Sequence, residues 1–192
     1  MAKKDLTGII APTTTPFNED DEIDFSAVTL QIDWLVNSGV HGVVVGGSTG
    51  EGHTLDADEF LQLVETAVKA AAGRIPVIAG IITDSTRDAV RRGKMVRGTG
   101  VAALQVTPVH YLYRPDEDAT VEHFRVVTEK TEMPVIIYNV VRWSYIEPDL
   151  LCRLMRDVPG VVGVKQSAGD LKLFADLMVM AGKDDLIFCA VD

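Results

Sequence analysis

A parallel α/β barrel of the (β/α)8 or TIM-barrel class, broken off after its seventh strand, is the fold that three features of this 192-residue sequence predict. Short apolar runs rich in Val and Ile alternate with helix-period stretches along the whole chain. Those runs are apolar at consecutive positions, as when both faces of a parallel sheet are covered. Polar residues fall where the runs end, at Thr13-Thr14-Thr15, Gly46 to Gly52, Thr83, Thr107, Tyr138-Asn139 and Lys165. An open doubly wound sheet gathers such residues at one switch point. A closed barrel spreads them over many strands and collects them at one mouth.

The strand candidates begin near Gly8, His41, Ile75, Val101, Pro134, Val161 and Leu186, with starts about 25–35 residues apart, the size of a βαβ unit. Between them, Phe25, Val28, Ile32 and Leu35 recur at helical spacing, as do Phe60, Leu63, Val64 and Ala67, and later Leu171, Phe174, Leu177 and Met178; these faces are expected to pack on the sheet. Asp56 with Glu59 suits a capping box, Pro148 a first helical turn and Gly182 a C-terminal cap. No Gly/Ser-rich linker interrupts the chain, so residues 1–192 read as a single barrel domain. The sequence stops at Ala190-Val191-Asp192, at the end of the seventh strand, so the C-terminal part of the barrel is expected to be missing. Unpaired strand edges and uncovered core positions then predict a marginal or aggregation-prone chain.

Composition narrows the functional classes. A formal net charge of −10 opposes nucleic-acid binding, which needs a basic stripe. The apolar runs have strand lengths, far below the ~20 residues of a membrane span, and no apolar leader follows Met1-Ala2-Lys3-Lys4-Asp5, so a cytoplasmic protein is expected. Two cysteines, Cys152 in a helical pattern and Cys189 in a strand pattern, suggest neither a disulfide framework nor a Cys-based zinc site, and read as buried free thiols.

Lys165 is the most informative residue, because it ends the apolar run Val161-Val162-Gly163-Val164. Burial disfavours the charged form of an amine, and a neutral amine attacks carbonyls. The plainer reading is a strand-end lysine that snorkels to water or pairs with Asp170. Tyr138 closes the fifth run one βα unit earlier, which sets it level with Lys165 on the neighbouring strand, about 4.8 Å away. There the phenol can move protons during imine formation, or it can serve only as a barrel-end hydroxyl. Gly46-Gly47-Ser48-Thr49-Gly50-Glu51-Gly52 follows the second run. Its glycines permit close backbone approach, and its hydroxyls and amides suit a carboxylate. It lacks the lysine of a P-loop and the spacing of a dinucleotide fingerprint.

Gly47-Ser48-Thr49-Gly50-Glu51, Tyr138-Asn139 and Gly163-Val164-Lys165, with Thr15-Pro16-Phe17, Arg74-Ile75-Pro76-Val77-Ile78-Ala79-Gly80 and Val106-Thr107-Pro108, resemble the dihydrodipicolinate synthase / N-acetylneuraminate lyase family, in order and over essentially the whole chain. The resemblance implies a class I, Schiff-base lyase acting on pyruvate or a 2-keto acid. It implies Lys165 as the imine-forming amine, Tyr138 and Ser48 as the proton relay, and Gly47 and Thr49 in the carboxylate-binding loop. No cofactor is implied, since the protonated imine serves as the electron sink that a metal otherwise supplies. The implied partners are a small keto acid with an aldehyde co-substrate or product, and other copies of the chain in a homotetramer built as a dimer of dimers.

Two segments depart from the family pattern. Thr107-Pro108-Val109-His110-Tyr111 replaces the usual Thr-Pro-Tyr-Tyr, so either Tyr111 or His110 takes the place of the next relay residue, or both are loop residues facing solvent. Tyr138-Asn139-Val140-Val141-Arg142-Trp143 lacks the usual proline and carries its arginine one residue early, which puts Arg142 out of step as a carboxylate ligand for the second substrate. Trp143 and Tyr145 point to a bulkier or less charged second substrate, with condensation, cleavage and dehydration all open. Two alternatives stand beside this reading. One is a non-catalytic keto-acid-binding homologue or inactive fragment. The other is a metal-dependent aldolase using His53 and His110, whose companions make a poor ligand set. His41 and His123 read as structural.

Overall fold

The computed structural model describes residues 6–167 and 169–190. Met1 to Asp5, read above as lacking a leader, and Val191-Asp192, read as the end of the last strand, lie outside the described residues. Seven strands alternate with six helices: β1 (Ile10–Pro12), α1 (Phe25–Asn37), β2 (Gly42–Val45), α2 (Ala57–Ala71), β3 (Val77–Ile81), α3 (Thr86–Val96), β4 (Ala103–Val106), α4 (Glu117–Thr131), β5 (Val135–Asn139), α5 (Pro148–Asp157), β6 (Val161–Gln166), α6 (Leu171–Met180) and β7 (Leu186–Cys189). A 3-10 turn, Arg142–Ser144, lies between β5 and α5. The strand order is the chain order, as a (β/α)8 barrel requires, and every strand begins within two residues of its sequence-predicted start.

Two compact units can be distinguished, one reaching to Ile82 and including Arg92–Gln105, the other formed by Thr83–Arg91 and the chain from Val106 onward. In the first, β1 pairs with β2 and β2 with β3, all parallel. All four residues of β2 and all five of β3 are buried, which is why these strands are apolar at consecutive positions. The predicted face of α2 covers them: Phe60, Leu63, Val64 and Ala67 are buried. Asp56 starts that helix in a complete capping box, accepting from the Asp58 and Glu59 amides while the Glu59 carboxylate accepts from the Asp56 amide. In α1 only Val28 and Ile32 of the predicted face are fully buried.

In the second unit β5, β6 and β7 run parallel, over a core that includes Phe124, Val127, Ile136, Ile137, Leu151, Leu154, Val164 and Leu177. Pro148 opens α5 as expected. Three expectations fail. Of the predicted α6 face only Leu177 is buried, while Leu171 and Met178 are exposed. Gly182 does not cap α6: the helix ends at Met180 and its cap is Ala181, whose amide donates to the Leu177 carbonyl with ordinary negative-φ geometry, so no left-handed residue is called for. The cysteines are not buried thiols either, since Cys152 is half-buried on α5 and Cys189 exposed on β7, an edge of the strand order.

Candidate active site

Where β5 and β6 end, the register decides which side chains meet. Val135 pairs with Val161, but Ile136 pairs with Gly163, so Val162 is an extra residue on β6. This bulge brings Tyr138 opposite Lys165 and Asn139 opposite Gln166. Continued without it, the register would set Tyr138 opposite Val164. Gly163 is required here by space as well, since a Cβ at this position would lie 2.2 Å from the Leu186 carbonyl oxygen of β7.

The Lys165 ammonium nitrogen lies 4.6 Å from the centre of the Tyr138 ring, within range for the ring face to attract a cation. Tyr138 is 5% exposed and Lys165 is half-buried. Asp170 is not the partner of Lys165. Its carboxylate caps α6, accepting from the Lys172 and Leu173 amides. The pair therefore presents an amine against a phenol on one face of two parallel strands, with no carboxylate from Asp170 to hold the amine back.

The next residues along, Asn139 and Gln166, point to the other face and close it with a buried network. Asn139 Nδ2 donates to the Gln166 side-chain oxygen at 3.0 Å and to the Ile146 carbonyl at 2.9 Å, and the Ile146 amide donates to Asn139 Oδ1 at 3.0 Å. Gln166 Nε2 donates to the Tyr145 hydroxyl. Burial pushes the Tyr145 phenol up to about 12, against the lowering effect of the Gln166 contact. Tyr145 is therefore a neutral strut in this network, not the substrate-facing residue that its neighbourhood in sequence suggested.

Farther along the loops of this unit, the sequence-predicted residues diverge. Tyr111 is 64% exposed and Arg142 is exposed on the 3-10 turn; neither is brought against Lys165 among the described contacts. Trp143 is exposed too, with its indole nitrogen donating to the His110 carbonyl at 2.7 Å, while the Ser144 hydroxyl donates to the Val109 carbonyl at 2.9 Å. These bonds latch the loop after β5 to the loop after β4. His110 itself is held at both ring nitrogens, Nδ1 at 3.0 Å from the Pro108 carbonyl and Nε2 at 3.0 Å from an Asp84 carboxylate oxygen. Both neighbours are hydrogen-bond acceptors, and together they fix the ring between the loops that follow β3 and β4. Asp84 was missed by sequence reasoning, since nothing in its spacing links it to His110.

The structural histidines behave as expected. His123 is buried, with Nε2 donating to the Thr107 carbonyl at 3.2 Å, which leaves Nδ1 to accept from the Thr86 hydroxyl at 2.9 Å. His41 Nδ1 accepts from the Ile9 amide. His53 is exposed, and no group of three His, Cys, Asp or Glu stands ready to hold a metal ion among the described residues.

In the first unit the loop after β2 is built on glycines. Gly46 has φ +65° and sits against the Phe60 ring, where a Cβ would lie 3.0 Å away. A Cβ on Gly52 would fall 1.7 Å from the Gly46 carbonyl oxygen, and one on Gly80 of β3 would lie 2.6 Å from the Gly47 amide. Within the loop the Gly50 and Gly52 amides donate to the Gly47 carbonyl, and the Glu51 amide to that of Ser48. The Thr15 hydroxyl donates to the Gly50 carbonyl at 2.6 Å. Ser48 and Thr49 are exposed at the crest, with their amides and hydroxyls outside the loop's own bonding. That is the form of a backbone nest for an anion.

With these two constellations in view, comparison with known proteins gives a consistent result. The Dihydrodipicolinate synthetase family matches residues 5–192. The chain belongs to this family. Similar curated proteins include the 4-hydroxy-tetrahydrodipicolinate synthase of Azoarcus sp. (strain BH72), 37% identical over 190 residues that make up 97% of this chain and 64% of that protein. The enzyme of the same name from Bacillus subtilis (strain 168) is 34% identical over 181 residues, 93% of this chain and 62% of that protein. Among solved structures, dihydrodipicolinate synthase from Aquifex aeolicus superposes with a TM-score of 0.89 at 30% identity, covering 96% of this chain and 63% of that one. A putative dihydrodipicolinate synthetase from Pseudomonas aeruginosa gives 0.90 at 32% identity, covering 96% and 64%. The chain thus spans a little under two thirds of the length of these dihydrodipicolinate synthetase relatives.

Proposed function

We propose that this protein is a Schiff-base lyase acting on pyruvate or a closely related 2-keto acid, with Lys165 as the amine. The observation that carries the reading is the Tyr138–Lys165 pair, in register on adjacent strands with the amine 4.6 Å from the ring centre. Family membership over residues 5–192 supports it.

In this reading the neutral amine of Lys165 attacks the keto carbonyl, the carbinolamine loses water, and the resulting protonated imine accepts the electrons released when the C3 proton leaves. The enamine so formed adds to an aldehyde carbonyl, or arises from the reverse cleavage. Tyr138 and Ser48 carry protons into and out of these steps. The Gly47, Ser48 and Thr49 loop takes the keto acid's carboxylate, which orients the carbonyl toward the amine. Condensation with an aldehyde as in 4-hydroxy-tetrahydrodipicolinate synthesis, retro-aldol cleavage and keto-sugar-acid dehydration all share the imine. The exposed Arg142 and the substitution of Val109-His110 for two tyrosines set the second substrate apart from that of the synthases. Assembly as a homotetramer, a dimer of dimers, belongs to the same proposal.

Borohydride reduction in the presence of pyruvate tests it. The expected result is one reduced pyruvyl adduct per chain, located at Lys165 by peptide mass analysis and absent from Lys165→Ala. Folded protein without an adduct would favour a binding-only homologue. Activity lost to a chelator, again without an adduct, would favour a metal-dependent aldolase.

A further inference from the structure

The helix α3 carries a cation on its buried face. Ala89, Arg92 and Val96 share one stripe of that helix, and all three are buried, Arg92 at 8% exposed. A guanidinium is hard to bury without partners, and three of those of Arg92 lie together beside the loop after β2. Its NH2 donates to the Leu55 carbonyl at 2.9 Å, its NH1 reaches the Gly52 carbonyl at the outer limit of 3.5 Å, and its central carbon stands 5.4 Å from the centre of the Phe60 ring. Gly52 and Phe60 are among the residues that Gly46 packs against.

We propose that Arg92 is a positioning residue for the anion-binding loop, acting through Gly52, Leu55 and Phe60 on the crest at Ser48-Thr49. This inference rests on the reading that the loop receives the keto acid's carboxylate. The mechanical path is short. Gly52 is held on the Gly46 carbonyl, and its amide, with that of Gly50, donates to the Gly47 carbonyl. These contacts fix the turn that lifts the Ser48 and Thr49 amides. A planar guanidinium anchors two carbonyls three residues apart and lies on an aromatic face at the same time, which no shorter or single-point cation does. Removing it frees Gly52 and Leu55 while leaving Lys165 and Tyr138 untouched, so it loosens recognition of the carboxylate rather than the chemistry of the amine.

The test compares two 2-keto compounds, one with a charged carboxylate and one with a neutral ester in its place. Borohydride trapping is titrated with pyruvate and with its methyl ester, on the full chain and on Arg92→Met, with circular dichroism to establish that the variant is folded. The half-saturating pyruvate concentration is expected to rise about tenfold in Arg92→Met, the scale of a weakened hydrogen bond to a charged group, with the trapping rate at saturation unchanged. For the ester the shift is expected to stay within about twofold, because an ester offers the nest no charge. Equal shifts for both compounds, or none for pyruvate, would overturn the inference. Should Arg92→Met not fold, Arg92→Lys serves in the same comparison with a smaller selective rise expected. Failure of the full chain to trap pyruvate would instead strike at the Schiff-base reading itself.

Discussion

Two residues in the second unit show how burial turns an ordinary side chain into a specific device. Tyr138 is a phenol whose ring supports the Lys165 amine and whose hydroxyl is proposed to carry protons. Tyr138→Phe keeps the ring and removes only the hydroxyl. Its turnover with the eventual substrate is expected to fall about 10²- to 10⁴-fold, the usual worth of a positioned acid–base group, with circular dichroism unchanged. Retained turnover would reduce Tyr138 to a packing role. His123 is the second case. Burial pushes its imidazole down to about 4, only partly opposed by its bond to the Thr107 carbonyl. The unfolded chain takes up this proton near pH 6.5, whereas the folded chain resists it until about pH 4. Its contribution is therefore complete above about pH 6.5 and drains away as the pH falls toward 4, by about 3 kcal/mol in all. Urea unfolding across this range is expected to show a steeper loss for the native chain than for His123→Gln; parallel curves would rule that out.

At the scale of single elements, much of the architecture was legible because it depends on neighbours in sequence. The α2 capping box needs only Asp56 and Glu59 three residues apart, and Asp56→Ala is expected to cost about 1 kcal/mol in chemical denaturation. The burial of Phe60, Leu63, Val64 and Ala67 follows from helical periodicity in the same way. The α6 face misled, since periodicity says which side of a helix is apolar but not whether anything covers it, and Leu171 and Met178 lie open. Arg92 was legible in principle as a cation on the Ala89–Val96 stripe, yet its target, the loop that ends at Leu55, is remote in sequence. Gly163 is the element-scale counterpart at the site. Gly163→Ala would drive a methyl to within 2.2 Å of the Leu186 carbonyl. Such overpacking is expected to cost about 1–3 kcal/mol, read from the denaturation midpoint, and to lower the yield of the Lys165 adduct by disturbing the bulge. An adduct yield equal to that of the native chain would show that the register survives.

For the whole chain, large apolar side chains remain in contact with water. Leu30 and Trp34 of α1 are 72% and 66% exposed, and Val179 and Met180 of α6 are 86% and 44% exposed. Apolar exposure of this kind drives association, while the net charge of −10 opposes it. Since salt screens charge but not the hydrophobic effect, the isolated 192-residue chain is expected to scatter light increasingly as ionic strength rises. A chain that stays a monodisperse monomer as salt is added would contradict this.

What the sequence determined alone was the order and spacing of the strand–helix units and the residue types at strand ends, because strand and helix periods and turn chemistry are local properties. Lys165 and Tyr138 stood out on those grounds, one unit apart. Only the tertiary structure decided that they face each other. The extra residue at Val162 shifts β6 by one position against β5, and in a strand one position exchanges the two faces. Without that shift Val164 would stand opposite Tyr138. The same long-range packing assigned Tyr145 to the Asn139–Gln166 network, gave His110 its Asp84 partner, and put Arg92 beneath the loop. Each of these depends on groups far apart in the chain, whose meeting is set by register and packing rather than by spacing.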